Sequence, residues 1–207
     1  MMTLILEGIM LGCLLAVSLG PIFIALTQTS IEKGILPGLT VGSGIWISDF
    51  IFVYVFYNFI QILKETIESE SFVLWMGLSG AVVLFVFGLV LLIKKTKLDY
   101  SQLHFSMKSY MGFWFKGFLI NTINPFTFVF WMGVISTYVI ARDISSTESL
   151  AFLGTILIII ILSDTGKVYL AHGLKKWLTP KHIEKVSNVS GVILMLFGCF
   201  LAYRVLI

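Results

Sequence analysis

Long apolar stretches separated by short polar segments dominate the chain. Six stretches have close to the roughly 20 residues that a helix needs to cross about 30 Å of hydrocarbon. We expect helices rather than open strands, because a segment in a bilayer must satisfy its own backbone polar groups. The first stretch lacks a basic segment before it and is too long for a signal peptide, so we expect it to be retained. The predicted spans are residues 4–27, 36–62, 72–93, 112–139, 150–170 and 186–206.

Composition supports the same interpretation. Of the 207 residues, 58% are hydrophobic and 12% are charged, whereas soluble domains have about 25% charged residues. With so few charged residues, this chain could not cover the surface of a soluble globule with polar groups. It is also far more apolar than a disordered chain. The sequence therefore predicts an all-α membrane protein.

The basic residues are distributed unevenly between the two sides of the predicted bundle. Ten Lys residues fall in or beside the segments that follow spans one, three and five, whereas three basic residues fall on the other side. The positive-inside rule then places both termini outside the cytoplasmic membrane of a bacterium. The basic segment 94–116 is expected to face the cytoplasm and touch anionic lipid. The sequence shows no pattern of basic and aromatic residues that would indicate nucleic-acid binding.

The two halves of the chain carry the same marks in the same order. This pattern predicts one polytopic domain over residues 1–207, with repeat one at about 1–96, repeat two at about 112–207 and the basic loop between them. Three spans per repeat give the halves opposite orientations, an arrangement found in many secondary transporters. The matched marks are Gly20-Pro21 with Asn124-Pro125, Ser48-Asp49 with Ser163-Asp164, and Ser79-Gly80 with Ser190-Gly191.

Two prolines fall at matched positions inside spans one and four. A proline removes a backbone donor and clashes with the preceding turn, so Pro21 and Pro125 predict broken helices. Each break directs the partial positive charge of a half-helix N-terminus at an anion such as a carboxylate. Gly20, Asn121 and Asn124 lie beside these breaks, which makes all five residues candidates for a substrate site.

Two aspartates lie within apolar spans, where a charge costs from about 3 to over 10 kcal/mol. Asp49 has no charged neighbour on its own span and is a candidate proton carrier or amine ligand. Asp164 is followed three residues later by Lys167, so this pair is either a structural ion pair or part of the site. Tyr54 and Tyr169 share their spacing from the aspartates and are weaker site candidates.

Other residues suggest alternative chemistry. Cys13 and Cys199 lie in apolar stretches, where packing is the expected role. Residues 77–80, Gly-Leu-Ser-Gly, resemble the nucleophile motif of rhomboid proteases, with His172 as a partner, but they fall on the wrong spans. The histidines show no metal-ligand spacing, and neither a metal nor a cofactor is expected.

Small residues mark faces where helices can approach closely. Glycines lead into span two, and others recur in spans three and six. These faces can pack within one protomer or between two, so a homodimer is compatible with the sequence. The residues are Gly34, Gly38, Gly42, Gly44, Gly80, Gly88, Gly191 and Gly198.

Residues 18–49 resemble the first half of the LysE-type (lysine exporter) family of amino-acid efflux proteins. That family has a Pro-Gly-Pro-Asn-like break, then spaced glycines and Gly-Asp, for which this chain has Leu19-Gly20-Pro21-Ile22 and Ser48-Asp49. The family's Gly-Phe, Asn and Asn-Pro-Lys pattern appears as Gly117-Phe118, Asn121 and Asn124-Pro125-Phe126. Ile22 and Phe126 therefore replace polar residues of the family pattern.

The resemblance implies a proton-driven secondary transporter, not an enzyme, that exports an amino acid or a similar small metabolite. An ammonium group or a proton would engage Asp49, with Asp164 as a second carboxylate. The substrate carboxylate would meet the two helix breaks, with hydrogen bonds from Asn121 and Asn124. The alternatives of the same superfamily architecture are a membrane thiol-relay oxidoreductase and a metal-ion exporter. A serine protease and a non-transporting scaffold are the remaining hypotheses.

Overall fold

The computed structural model describes residues 1–17, 20–59, 70–93, 106–175 and 180–206. These ranges are almost entirely helical and contain no strand. Several residues considered above lie outside the described ranges. They are Ser18 and Leu19 of the first break, the charged segment 60–69, the basic segment 94–105, and Lys176.

Eight α-helices and one π-helix make up the described ranges. The π-helix, Ile135–Ile140, continues α6 directly. The α-helices are α1 (Met2–Val17), α2 (Pro21–Lys33), α3 (Ile35–Phe59), α4 (Glu70–Ile93), α5 (Met107–Thr122), α6 (Pro125–Val134), α7 (Ser146–Gly173) and α8 (Pro180–Leu206).

Predicted spans one and four are each divided into two helices with a sharp bend. The angle is 66° between α1 and α2, and 63° between α5 and the helical segment that ends at Ile140. Pro21 is the first residue of α2 and Pro125 is the first of α6. Proline suits this position, because the first N–H of a helix has no intrahelical partner to lose.

Length and composition support three to five membrane spans within the described ranges. Three helical segments are each long and apolar enough to cross a membrane: Ile35–Phe59, Ser146–Gly173 and Glu184–Leu206. The two bent pairs raise the count to five if each pair is one span. The apolar segment Gly77–Ile93 of α4 is shorter. The chain is thus an all-helical protein with several apolar helices long enough to cross a bilayer.

Glycines allow close approach where the helices cross. A Cβ atom on Gly44 would overlap the backbone of α5, and one on Gly117 would overlap the Val41 carbonyl of α3. In the contact of α1 with α7, a Cβ on Gly12 would lie 3.3 Å from the Ile156 carbonyl. Because lipid is as apolar as these side chains, such close packing is what holds helices together in a bilayer.

The predicted packing role is wrong for one glycine. Gly34 has φ +102°, and nothing lies within 4 Å of a Cβ built there. It caps α2, and its N–H donates to the Ser30 carbonyl at 3.2 Å. A left-handed residue after a helix is commonly glycine, since other residues are strained in that conformation.

Two clusters of buried apolar residues border the centre of the bundle. One joins the α6 segment and the π-helix to α7, with Trp131, Ile135 and Phe152 fully buried. The other joins α2, α3 and α7. Ile160 of the first cluster and Ile45 of the second both line a central cavity.

Candidate functional site

The central cavity lies at both helix breaks. It has a volume of about 60 Å³ and is lined by α1, α2, α3, α5, α6 and α7. A space of about 10–15 Å³ already accommodates one water, so this cavity has room for a small solute. Seven of the ten residues predicted for the site line it. They are Gly20, Pro21, Asp49, Asn121, Asn124, Asp164 and Lys167.

The side chain of Asp49 is buried and held from one side. Its Oδ1 accepts the Asn121 Nδ2–H and the Trp131 Nε1–H, each at 2.9 Å. None of the described residues donates a hydrogen bond to its Oδ2. Every fully buried side-chain oxygen among these residues has a partner, so Oδ2 is not fully buried. Since Asp49 lines the cavity, Oδ2 is the oxygen open to it. This oxygen can therefore take a proton or a cationic group without breaking the existing hydrogen bonds.

Asn121 orients this carboxylate. Its amide also donates to the Ile45 carbonyl at 3.2 Å, while its own oxygen accepts the Thr127 hydroxyl at 2.9 Å. Asn121 is 1% exposed. Both amide hydrogens are therefore engaged, and Asn121 positions Asp49, while its oxygen keeps a second lone pair that can accept a hydrogen bond.

Asp164 has both oxygens occupied. Oδ1 lies 2.8 Å from the Lys167 Nζ, and Oδ2 accepts the Trp46 Nε1–H at 3.2 Å. The side chains of Asp164 and Lys167 are 4% and 15% exposed. The ion pair expected from their spacing is therefore present. Both residues of the pair also line the cavity.

The two half-helix N-termini at the cavity differ. Asn124 caps α6, since its Oδ1 accepts the Phe126 N–H at 3.1 Å. Gly20 precedes α2 without a side-chain cap. The first N–H groups of a helix have no intrahelical acceptor, so α2 offers donors and a partial positive charge to an anion.

Two predicted site residues, Tyr54 and Tyr169, do not line the cavity. Tyr54 and Tyr169 are 67% and 53% exposed, on the outer surface of the helices. Pro125 is the first residue of α6, between Asn124 and Phe126, which both line the cavity. The two aspartates thus line the cavity, whereas the two tyrosines that follow them at the same sequence distance do not.

Sequence reasoning missed Trp131, Trp46 and Thr127. The two indoles hold the two carboxylates, and Thr127 lines the cavity. A signal existed for the tryptophans, because a Trp deep in an apolar span needs an acceptor for its N–H. It does not identify the acceptor, since Asp49 lies 82 residues from Trp131.

The residues considered for other chemistry lie elsewhere. Cys13 and Cys199, expected to pack in the interior, are exposed free thiols. The His172 Nδ1 is 3.1 Å from the Ser30 carbonyl, and Ser79 is exposed on α4. Within the described ranges, no three His, Cys, Asp or Glu side chains form a group that could hold a metal ion.

Comparisons with known proteins find a similar sequence and a matching family model. The chain is 25% identical over 206 residues to "Putative amino acid efflux protein YcgF" of Bacillus subtilis (strain 168), covering 98% of this chain and 97% of that protein. No solved structure is significantly similar to the chain. The family model "LysE type translocator" matches residues 13–205. The chain therefore belongs to the LysE type translocator family.

Proposed function

We propose that this protein exports an amino acid, or a similar small metabolite, across the bacterial cytoplasmic membrane in exchange for protons. Membership of a translocator family and the printed name of the Bacillus relative point to a transporter rather than an enzyme. The observation that carries the proposal is the Asp49 Oδ2 atom, which is open to a central cavity at two helix breaks.

Asp49 binds the substrate ammonium group in one state and a proton in the other. Asn121 and Trp131 both donate to Oδ1, and neither hydrogen bond has to break when Oδ2 changes its partner. An intramembrane carboxylate is costly and characteristically marks a substrate or proton pathway. Asp164 is a weaker candidate for this role, because Lys167 and Trp46 occupy its two oxygens.

The substrate carboxylate binds at the N-terminus of α2. Its first turn has no side-chain cap and lines the same cavity as Asp49. The capped N-terminus of α6 makes a smaller contribution, with Asn124 contacting the substrate from the opposite break. A zwitterion placed between α2 and Asp49 has both charges matched.

Alternating access arises from two inverted repeats of three spans each. The packing of α1 on α7 corresponds to the packing of α5 on α3. At one crossing a glycine, Gly117, lies against the Val41 carbonyl, and at the other a glycine, Gly12, lies against the Ile159 side chain. These two corresponding helix pairings support a pseudo-twofold relation, about which one repeat rocks against the other.

The remaining parts of the proposal concern topology. The chain forms one polytopic domain with both termini outside, as the positive-inside rule indicates. The same rule assigns the basic residues that follow spans one, three and five to the cytoplasmic side, where the membrane surface is anionic. The exposed apolar surface of the helices faces lipid or a second protomer, and Tyr54 and Tyr169 belong to that surface.

Efflux from bacterial cells preloaded with a mixed pool of labelled amino acids tests the proposal. We compare native protein, Asp49→Asn and the matched control Asp143→Asn, an exposed aspartate outside the cavity. Expression is followed by immunoblot of the membranes. The native protein and the control should accelerate release of one or a few amino acids, and Asp49→Asn should not. Equal release by Asp49→Asn and native protein would overturn the role of Asp49.

A further inference from the structure

The charges around the cavity are nearly all matched. Among the described residues that line it, the charged groups are Asp49, Asp164 and Lys167. Lys167 and Asp164 neutralise each other at 2.8 Å, and Trp46 takes the other Asp164 oxygen. Asp49 is thus the carboxylate with an oxygen left for a cation, and in the proposed function the substrate ammonium group occupies it.

The rest of the wall is largely apolar. Ile22 and Phe126 lie one residue after the two prolines, so they extend from the first turns of α2 and α6. The half-helices that meet the polar end of a substrate therefore also provide the surface for its side chain. The apolar lining residues are Leu15, Ala16, Ile22, Ile45, Phe126 and Ile160.

A charged substrate side chain would have no counter-charge in this wall. An unmatched charge at the centre of a bilayer costs about 2.5–3.5 kcal/mol on insertion scales, which corresponds to about a hundredfold in affinity. A second ammonium group or a second carboxylate on the substrate would have to break the ion pair between Asp164 and Lys167. An uncharged aliphatic side chain carries no such cost.

We infer that the cavity selects amino acids with small, uncharged aliphatic side chains, and that Ile22 and Phe126 set the upper limit of side-chain size. This inference rests on the proposed function and specifies its substrate class. A cavity of about 60 Å³ accommodates a compact zwitterion, and the two apolar side chains at the helix breaks limit its length.

Counterflow in proteoliposomes containing the purified full-length protein tests the charge rule. Vesicles loaded with unlabelled alanine, valine, leucine, lysine or glutamate take up the same labelled amino acid from outside. Alanine or valine should exchange about a hundredfold faster than lysine and glutamate. Lysine or glutamate exchange as fast as valine would overturn the inference while leaving amino-acid transport intact. Absence of exchange with every amino acid would overturn both the inference and the proposed function.

Phe126→Ala tests the size limit, with Phe128→Ala as the matched control. Both residues are on α6, but Phe128 packs on Phe52 and Phe56, with ring centroids 6.1 and 5.0 Å apart, and does not line the cavity. Phe126→Ala should raise the ratio of leucine to alanine exchange about tenfold, since one or more methylene groups in an apolar pocket are worth that much. The control should keep the native ratio.

Ile22→Ala provides a second test if Phe126→Ala fails to fold. It enlarges the same cavity from α2 and should shift the ratio in the same direction. Monodisperse elution on size exclusion identifies folded variants. A folded Phe126→Ala or Ile22→Ala protein with the native leucine-to-alanine ratio would overturn the role given to that residue.

Discussion

The hydrogen bond from Trp131 to Asp49 gives a sharp quantitative prediction. Trp131 is fully buried, and its Nε1–H donates to the Asp49 Oδ1 at 2.9 Å. Trp131→Phe keeps an aromatic ring at the position but deletes the donor and part of the ring. Asp49 then retains Asn121 as its donor on Oδ1, and its carboxylate is held less firmly.

The magnitude follows from two contributions. A hydrogen bond to a charged group contributes about 1.5–3 kcal/mol to stability. The smaller ring leaves a cavity that costs about 1 kcal/mol more. The expected loss in unfolding free energy is about 2.5–4 kcal/mol, or about 5–15 °C in the unfolding midpoint for a chain of this size.

Thermal unfolding of the purified protein in detergent, followed by size exclusion, measures the loss. Trp75→Phe is the matched control, because Trp75 is 70% exposed, and its midpoint should change little. A double-mutant cycle with Asp49→Asn separates the hydrogen bond from ring packing. It should give a coupling of about 1 kcal/mol, since the asparagine amide still accepts a weaker, neutral hydrogen bond.

Two results would refute this reasoning. Equal midpoint shifts for Trp131→Phe and Trp75→Phe would mean that neither the hydrogen bond nor the burial contributes. Additive effects of Trp131→Phe and Asp49→Asn would mean that the charge of Asp49 adds nothing to this hydrogen bond. Counterflow should also slow in Trp131→Phe, because the carboxylate loses one of the two donors that orient it.

Three further predictions use the same unfolding and counterflow assays. Gly44→Ala should lower the unfolding midpoint, because the added Cβ overlaps the backbone of α5. The control Gly112→Ala, whose Cβ would have nothing within 4 Å, should stay within about 0.5 kcal/mol of the native stability. Equal midpoints for the two variants would contradict the close crossing of α3 and α5. Asp164→Asn should cost about 3–5 kcal/mol by leaving Lys167 without its partner, and adding Lys167→Met should restore stability; failure to recover would show that the ion pair is not the source of the loss. Tyr54→Phe should leave counterflow at the native rate, because this side chain is exposed outside the cavity. A large loss of counterflow would show that the Tyr54 hydroxyl takes part in transport.

The helical class and the two breaks could be predicted from the sequence, because each has a local cause. Twenty or so apolar residues favour a membrane helix wherever they occur, and a proline interrupts a helix through its own ring. The starts of α2 and α6 at Pro21 and Pro125 follow from this. The ion pair between Asp164 and Lys167 is similarly local, since residues three apart share a helix face.

The remaining features depend on contacts between distant parts of the chain. One sequence gives no reason to bring Trp131 rather than another donor to Asp49, or Trp46 to Asp164. It also does not distinguish Gly44, which touches another helix, from Gly34, which caps one. Only spacing links Tyr54 to Asp49, and residues five apart lie on different faces of a helix. Of the two, Asp49 lines the cavity and Tyr54 does not.

The central claim is that Asp49 couples proton movement to amino-acid movement. The most direct measurement is uptake of labelled alanine or valine into proteoliposomes under an imposed pH gradient, without an amino-acid gradient, by native protein and Asp49→Asn at equal reconstitution. We expect the native protein to accumulate the amino acid and Asp49→Asn not to accumulate it. Accumulation by Asp49→Asn at the native rate would show that Asp49 does not couple the two movements.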